Sequence, residues 1–437
     1  MYKLLLISLI LALAACKKNS TPPPTPPAPP TAPAGGKDTL SVGDSLRLSA
    51  KGATTYNWKI GGQSVSTDST FTYRPTTRGD YQITIVVSNQ GGSDSAVYYI
   101  HVYGAYENGF FIINEGIHAV WDPGTKYNTN TIGTISFFRY DTQKMEDSVY
   151  TKANPGKDLG PANSIPEYGT IWDGKLYVVC EAGGPIVQAD PYSLQETGRV
   201  PAGATDWRAF LGIDSTHALV SSNTGIYMLD LATMTIGSSV SSITGQVGDM
   251  TAAGNYIFVV SQGCGLVALN KSDYSVAQRV YPFINMGFAK TTDGAIWAGG
   301  DYGLLRVDPI TLDTLTLSTE FPINDTWVDW HPGCIAASPL VNTFWFSSDY
   351  GAYTQAVISG VIQSLSGFGV VISSGPPVYY KDYPYADGLG CDSLGRLYAV
   401  TVLDGQGNNY MMNQLWLPSG SAYNYTGFYF PAMLVFH

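Results

Sequence analysis

Asp190-Pro191-Tyr192-Ser193-Leu194 is one of five related stretches in the chain. Asp141-Thr142-Gln143-Lys144-Met145, Asp230-Leu231-Ala232-Thr233-Met234 and Asp308-Pro309-Ile310-Thr311-Leu312 share its shape, and Asn270-Lys271-Ser272-Asp273-Tyr274 is a looser copy. Each follows a short apolar run and precedes a second short run in which polar and apolar residues mix. The physical reading is strand, tight turn, strand. The Asp side chain caps the turn, Pro where present pre-sets the next backbone angle, and the following run resumes the pleat. The copies recur about every 40 residues, and a self-similar unit of that length made only of strands is the signature of a β-propeller.

Bulk composition agrees with that reading. At 437 residues the chain exceeds one ordinary compact domain unless that domain is a barrel or propeller. Only 13% of residues are charged, while Gly (48) and Tyr (30) are abundant, which suits many short strands joined by turns. The net charge of -11 argues against nucleic acid as a partner and against a basic membrane-surface patch. Of the five cysteines, Cys180, Cys264, Cys334 and Cys391 lie far apart with no C-x-x-C pair, which leaves a zinc ribbon or thioredoxin-like site unsupported. After export they form disulfides, with three pairings open, or remain buried thiols.

The fifth is Cys16. Lys3 followed by the apolar run Leu4 to Leu13 reads as an export signal over residues 1–15, and Leu13-Ala14-Ala15-Cys16 as a lipobox. The run is too short for a comfortable membrane span, so the membrane is expected to hold the chain through acyl groups on Cys16. Residues 16–37 continue into STPPPTPPAPPTAPAGG, a proline-rich linker. Extended at ~3.1 Å per residue, it reaches roughly 50 Å.

Residues 38–103 form a separate small unit. Alternating runs at Leu46-Arg47-Leu48-Ser49-Ala50 and Tyr56-Asn57-Trp58-Lys59-Ile60, then Gly79-Asp80-Tyr81-Gln82-Ile83-Thr84-Ile85-Val86-Val87 and a last strand over residues 95–102, predict an immunoglobulin-like sandwich with Trp58 inward. The Y-x-W strand and the G-D-Y-x-I-x-I-x-V-S-N run resemble a polycystic-kidney-disease (PKD) domain. That resemblance implies a spacer or protein-contact module.

Over residues 104–437 the strands return in seven sets. The second strand of each is recognisable at 110–113, 175–179, 218–220, 256–260, 295–298, 343–346 and 396–400, mostly after a hairpin turn such as Asp173-Gly174 or Asp293-Gly294. The expected fold class is therefore all-β: an Ig-like sandwich followed by a seven-bladed β-propeller. The first set lacks an inner strand and the last has spare residues, Ala432-Met433-Leu434-Val435-Phe436, so the C-terminal strand is expected to complete the first blade and remove the open sheet edges.

Catalytic constellations are sparse. The chain has no G-x-S-x-G, H-E-x-x-H or P-loop, and His101, His118, His217, His331 and His437 show no metal-ligand spacing. The polar run Asp404-Gly405-Gln406-Gly407-Asn408-Asn409 lacks calcium-loop spacing and reads as a surface turn. The expectation is a non-enzymatic protein without cofactor or metal. Loops entering the inner strands ring one mouth of a propeller channel, and here they are aromatic and polar. The ligand-binding candidates are Trp121, Tyr168 (after Glu167), Asp206, Trp207, Arg208, Asp249, Met250, Trp330, His331, Tyr385 and Asp387. Rigid aromatic faces flanked by hydrogen-bonding groups suit a bulky, partly apolar small molecule. Packing between blades is the competing role for each Trp, and a hydrogen-bonded structural role for His118 and His331.

Gly109-Phe110-Phe111-Ile112-Ile113-Asn114-Glu115-Gly116, then Gly133-Thr134-Ile135-Ser136-Phe137-Phe138 and Gly174-Lys175-Leu176-Tyr177-Val178-Val179 resemble the YncE-like (YVTN-type) seven-bladed propeller lipoproteins of Bacteroidetes-type bacteria, over residues 105–437. The resemblance implies an outer-membrane lipoprotein that captures a bulky nutrient and passes it to a TonB-dependent transporter, with cobalamin the leading ligand. Cys16 is followed by Lys17-Lys18-Asn19-Ser20 without an acidic residue, so a cell-surface and a periplasm-facing anchor both stay open. Two other classes stay open as well. One is an adhesion or surface-layer protein binding a macromolecule, and the other a propeller lyase or quinoprotein.

Overall fold

The computed structural model describes residues 27–116, 133–161, 164–262, 265–281, 287–300, 303–318, 335–348, 351–358, 361–365, 383–402, 410–415, 422–428 and 431–437. The chain divides into two compact units, Met1–Val102 and Tyr103–His437.

In the first unit, strands pair in the order Gly36–Ser41, Gly92–Tyr103, Gly79–Asn89, Thr55–Ile60 and Gln63–Ser66. A second, two-stranded sheet pairs Leu46–Ser49 with Thr70–Tyr73. The alternation read from the sequence is realised. Trp58 is fully buried among Leu48, Tyr73, Ile83, Ile85, Val87 and Ile100. Its indole N–H donates to the Asp68 carbonyl at 2.9 Å, which satisfies the one polar atom this large side chain brings into the core.

The second unit is built of four-stranded antiparallel blades. Blade 2 runs Ile165–Trp172, Lys175–Glu181, Ile186–Ala189 and Glu196–Val200, from the inside outward. Blade 3 comprises Trp207–Gly212, His217–Ser222, Gly225–Asp230 and Thr235–Thr244. Blade 4 comprises Val247–Ala253, Tyr256–Ser261, Gly265–Asn270 and Val276–Tyr281. Blades 5 to 7 begin at Phe288–Lys290, Ile335–Ala337 and Tyr383–Cys391 and follow the same order. Every second strand expected from the sequence is the second strand of its blade.

Blade 1 takes its innermost strand from the other end of the chain. Pro431–Phe436 pairs antiparallel with Gly109–Asn114, which pairs with Thr134–Arg139 and then with the short Lys144–Glu146. The same C-terminal strand bridges to blade 7 in parallel, Asp387 opposite Met433. The innermost strands touch one another in ring order, each against the next, with Pro431–Phe436 between those of blades 7 and 2. The ring is therefore closed by the expected strand. A short helix, Val149–Ala153, stands between blades 1 and 2; no periodicity in so short a stretch announced it.

The recurring Asp turn joins the third and fourth strands of its blade. Asp190 Oδ1 accepts from the backbone N–H groups of Tyr192 and Ser193 at 2.9 and 2.7 Å. Asp230 does the same for Ala232 and Thr233, and Asp308 for Ile310 and Thr311. The fifth residue of each unit takes a left-handed backbone without being Gly: Leu194 at φ 58°, Met234 at 50° and Leu312 at 63°. Burial of these three side chains offsets the strain. The copy in blade 1 differs: Asp141 caps only Thr142, and the left-handed residue is Gln143. Asp190→Ala is expected to cost about 1 kcal/mol, read as a lower denaturant midpoint of the propeller, and Asp141→Ala to cost less.

Cys180 and Cys391 carry free thiols. Cys264 and Cys334 lie outside the described residues.

Candidate functional site

The inner strands are irregular at one end, where the chain enters them. In blade 2 the pairing shifts between Pro166 and Tyr168, displacing Glu167. In blade 3 it shifts between Trp207 and Phe210, displacing Arg208 and Ala209. In blade 4 it shifts between Val247 and Met250, displacing Gly248 and Asp249. Blade 7 breaks register between Pro384 and Leu389, a stretch that contains Tyr385 and Asp387. The clasp strand breaks between Pro431 and Met433. A β-bulge adds a residue to one strand and re-aims its side chain. Here bulges fall at the entry end in blades 2, 3, 4 and 7 and in the clasp strand, and in blades 2, 3 and 4 each displaces a charged residue.

The ladder bonds lost at the bulges are replaced across blades. Ser221 Oγ accepts from Ala209 N–H at 3.0 Å and donates to the Gly248 carbonyl at 2.7 Å, which ties the bulges of blades 3 and 4 together. Asp249 accepts from Met250 N–H at 2.8 Å and, across the next blade boundary, from Phe288 N–H at 3.1 Å. Burial pushes its carboxyl up to about 6, against the pull of those two bonds.

Between blades 2 and 3 lies a charged network. Arg208 donates through Nη1 to Glu181 and through Nη2 to Asp206, the latter at 2.8 Å. The other oxygen of Asp206 accepts from Ala182 N–H at 2.5 Å. Glu181 also hydrogen-bonds the side chain of Glu167, whose own carboxyl is pushed up to about 7, first by burial. Glu167, Glu181 and Arg208 are buried, so these charges interact with little water between them and each must be paired.

The sequence candidates divide on this geometry. Asp206, Arg208 and Asp249 stand at the bulged end of the ring. Tyr168, Trp207 and Met250, candidates for the mouth, are buried in the clusters between blades, the competing role for Trp207. Tyr168 and Trp207 join Tyr177, Phe210 and Leu229, and Met250 joins Leu219, Ile257 and Val259. Residues flanking a bulge keep the normal pleat and point into the sheet interface, and Ala209 inside the blade 3 bulge is buried in the same cluster. Tyr385 and Asp387 are placed on the inner strand of blade 7. Trp121, Trp330, His331, His118, Asp404 and the lipidation candidate Cys16 lie outside the described residues. Glu181 had no place among the sequence candidates, because it reads only as the polar end of the run Lys175–Glu181. Among the described residues no three His, Cys, Asp or Glu side chains gather as a metal site.

The fold and this rim define a closed β-propeller with a bulged, charged mouth, carried on a chain with a PKD domain at residues 31–102. Residues 108–437 match the family described as a domain of unknown function, DUF5074, and the chain belongs to it.

Among solved structures, the chain is similar to a quinoprotein alcohol dehydrogenase-like protein from Bacteroides thetaiotaomicron. The TM-score is 0.57 at 14% identity, covering 91% of this chain and 96% of that one. It is also similar to a chain of the mitotic checkpoint complex (TM-score 0.47, 8% identity, 62% of this chain and 79% of that one). A third is the extracellular domain of a hybrid two-component system of B. thetaiotaomicron (TM-score 0.44, 14% identity, 72% of this chain and 42% of that one). The first likeness shows the fold alone. No curated protein matches the chain in sequence.

Proposed function

We propose that this chain is a lipid-anchored, non-enzymatic binding protein of the outer membrane. In this reading the propeller mouth captures a bulky nutrient for a TonB-dependent transporter, with cobalamin as the ligand. The YncE-like resemblance of residues 105–437 brings the nutrient class, and Cys16 with its proline-rich linker brings the anchor. The supporting observation is the recurrence of the bulge. Three successive blades displace Glu167, Arg208 and Asp249 at the same level, which gathers charged side chains at one end of the ring.

The chemistry of the rim fits such a ligand. Asp206, Asp249 and Glu181 are acceptors and Arg208 a donor, all fixed by backbone or ion-pair bonds before any ligand arrives. Pre-ordered polar groups lower the ordering cost of binding. Cobalamin presents primary amides, which both donate and accept, around an apolar macrocycle.

Calorimetric titration of the full chain in detergent with cyanocobalamin tests the reading. Saturable heat at micromolar protein is the expected result. No heat from a chain that still unfolds cooperatively removes cobalamin as the ligand.

A further inference from the structure

A proline-rich run cannot join a β-ladder in the ordinary way. Pro has no backbone N–H and fixes its own φ, and the residue before it is pushed into an extended conformation. Pro27-Ala28-Pro29-Pro30-Thr31-Ala32-Pro33-Ala34-Gly35 is such a run. A partner can hold it only through its carbonyls, its few remaining N–H groups and its rings.

The first unit supplies all three. Asn89 Nδ2 donates to the Ala28 carbonyl at 2.8 Å, and Asp94 Oδ2 accepts from Ala32 N–H at 2.9 Å. Both side chains stand at the turn end of the hairpin formed by Gly79–Asn89 and Gly92–Tyr103. Asn89 is itself held in place, because its Oδ1 accepts from Gly91 N–H at 2.7 Å. The backbone at the turn makes room for the run. A Cβ at Gly91 would lie 1.8 Å from the Pro27 carbonyl oxygen, and one at Gly92 would touch Pro29 Cβ at 3.4 Å. Further along, a Cβ at Gly35 would lie 2.1 Å from the Val97 carbonyl oxygen. Pro30 is buried, Pro33 is half-buried, and Ala32 packs against the core cluster that contains Trp58.

We infer that the hairpin over residues 89–97 is a recognition site for an extended proline-rich segment, and that residues 27–35 of this chain are its occupant. The second half of the linker is then a strap on the sandwich and not a free spacer. Its prolines suit that role, since a segment already extended loses little freedom on docking. What remains between Cys16 and the strap is residues 17–26, which could span roughly 30 Å at most, in place of the roughly 50 Å expected of the whole run. The inference goes beyond the proposed capture role and holds whether or not Cys16 is acylated.

Exchange at single alanine amides, followed by NMR of the full chain in detergent with isotope-labelled alanine, tests the strap. In the native protein Ala32 N–H is expected to exchange about tenfold more slowly than its sequence neighbours dictate. Pro29→Gly combined with Pro30→Gly removes neither hydrogen-bonding partner but frees the segment, and is expected to cut that protection about fivefold. Ala96, buried in the sandwich, should keep its protection in both proteins and so reports that the unit is folded. Gly91→Ala sets a methyl group against the Pro27 carbonyl and should abolish the proton–proton contact between Pro29 and Gly92 seen in the native chain. An Ala32 amide that exchanges freely in the native protein overturns the inference. So does protection that the double glycine variant leaves unchanged, since proline is then not what the hairpin recognises. Should Gly91→Ala unfold the sandwich, the native and double glycine proteins decide between them.

Discussion

Removal of residues 431–437 is expected to abolish cooperative unfolding of the propeller while the PKD unit keeps its own transition. The C-terminal strand is the inner strand of blade 1 and the neighbour of blade 7, so its loss opens two sheet edges at once. It also buries Ala432, Leu434 and Val435, and Phe436 packs 4.8 Å from Phe110 and 5.7 Å from Tyr398, ring to ring. Neighbouring strands are shaped to receive it. A Cβ at Gly169 would lie 2.7 Å from Val435 Cγ2, and one at Gly390 would lie 2.6 Å from Phe436 Cε2. Each large apolar side chain returned to water costs about 1.5–3 kcal/mol. Together with the lost pairing, the cost approaches the roughly 5–15 kcal/mol by which a domain of this kind is stable. Calorimetry of the truncated chain should show the sandwich transition alone. A propeller transition at its original temperature would mean that the ring closes without this strand.

Arg208→Ala carries the second large effect. It leaves the buried carboxylate of Glu181 without its cation and removes the tie to Asp206. Breaking one side of a buried pair costs about 3–5 kcal/mol, because the remaining charge stays desolvated. The loss should appear as a lower denaturant midpoint of the propeller. Arg208→Met combined with Glu181→Gln removes both charges and should recover most of the loss. A cost below about 1 kcal/mol for Arg208→Ala would place the pair in solvent, where ion pairs are worth that little.

Much of the propeller is legible in the chain because its punctuation is local chemistry. An Asp that caps its own turn does so within four residues, so Asp190, Asp230 and Asp308 announce the third-to-fourth hairpins without knowledge of any partner strand. The clasp is legible by subtraction, since the first set lacks an inner strand and Ala432 to Phe436 is left over. The mouth is less so. A bulge is a property of two paired strands, and nothing in Pro166-Glu167-Tyr168 or Gly248-Asp249-Met250 says which residue is displaced. Tyr168, Trp207 and Met250 flank these bulges and lie in the inter-blade core, the packing role that competes with binding for each Trp. Glu181 was missed for the same reason. Its importance comes from facing Arg208 of the next blade, 27 residues on.

The central claim is that ligand is held at the bulged mouth. Hydrogen exchange of the full chain with and without saturating cyanocobalamin tests it most directly. The account predicts added protection confined to the entry ends of the inner strands, residues 166–168, 206–209 and 247–250, with the Asp190 and Asp230 turns unchanged. Protection at those outer turns, or in the PKD unit alone, would contradict it.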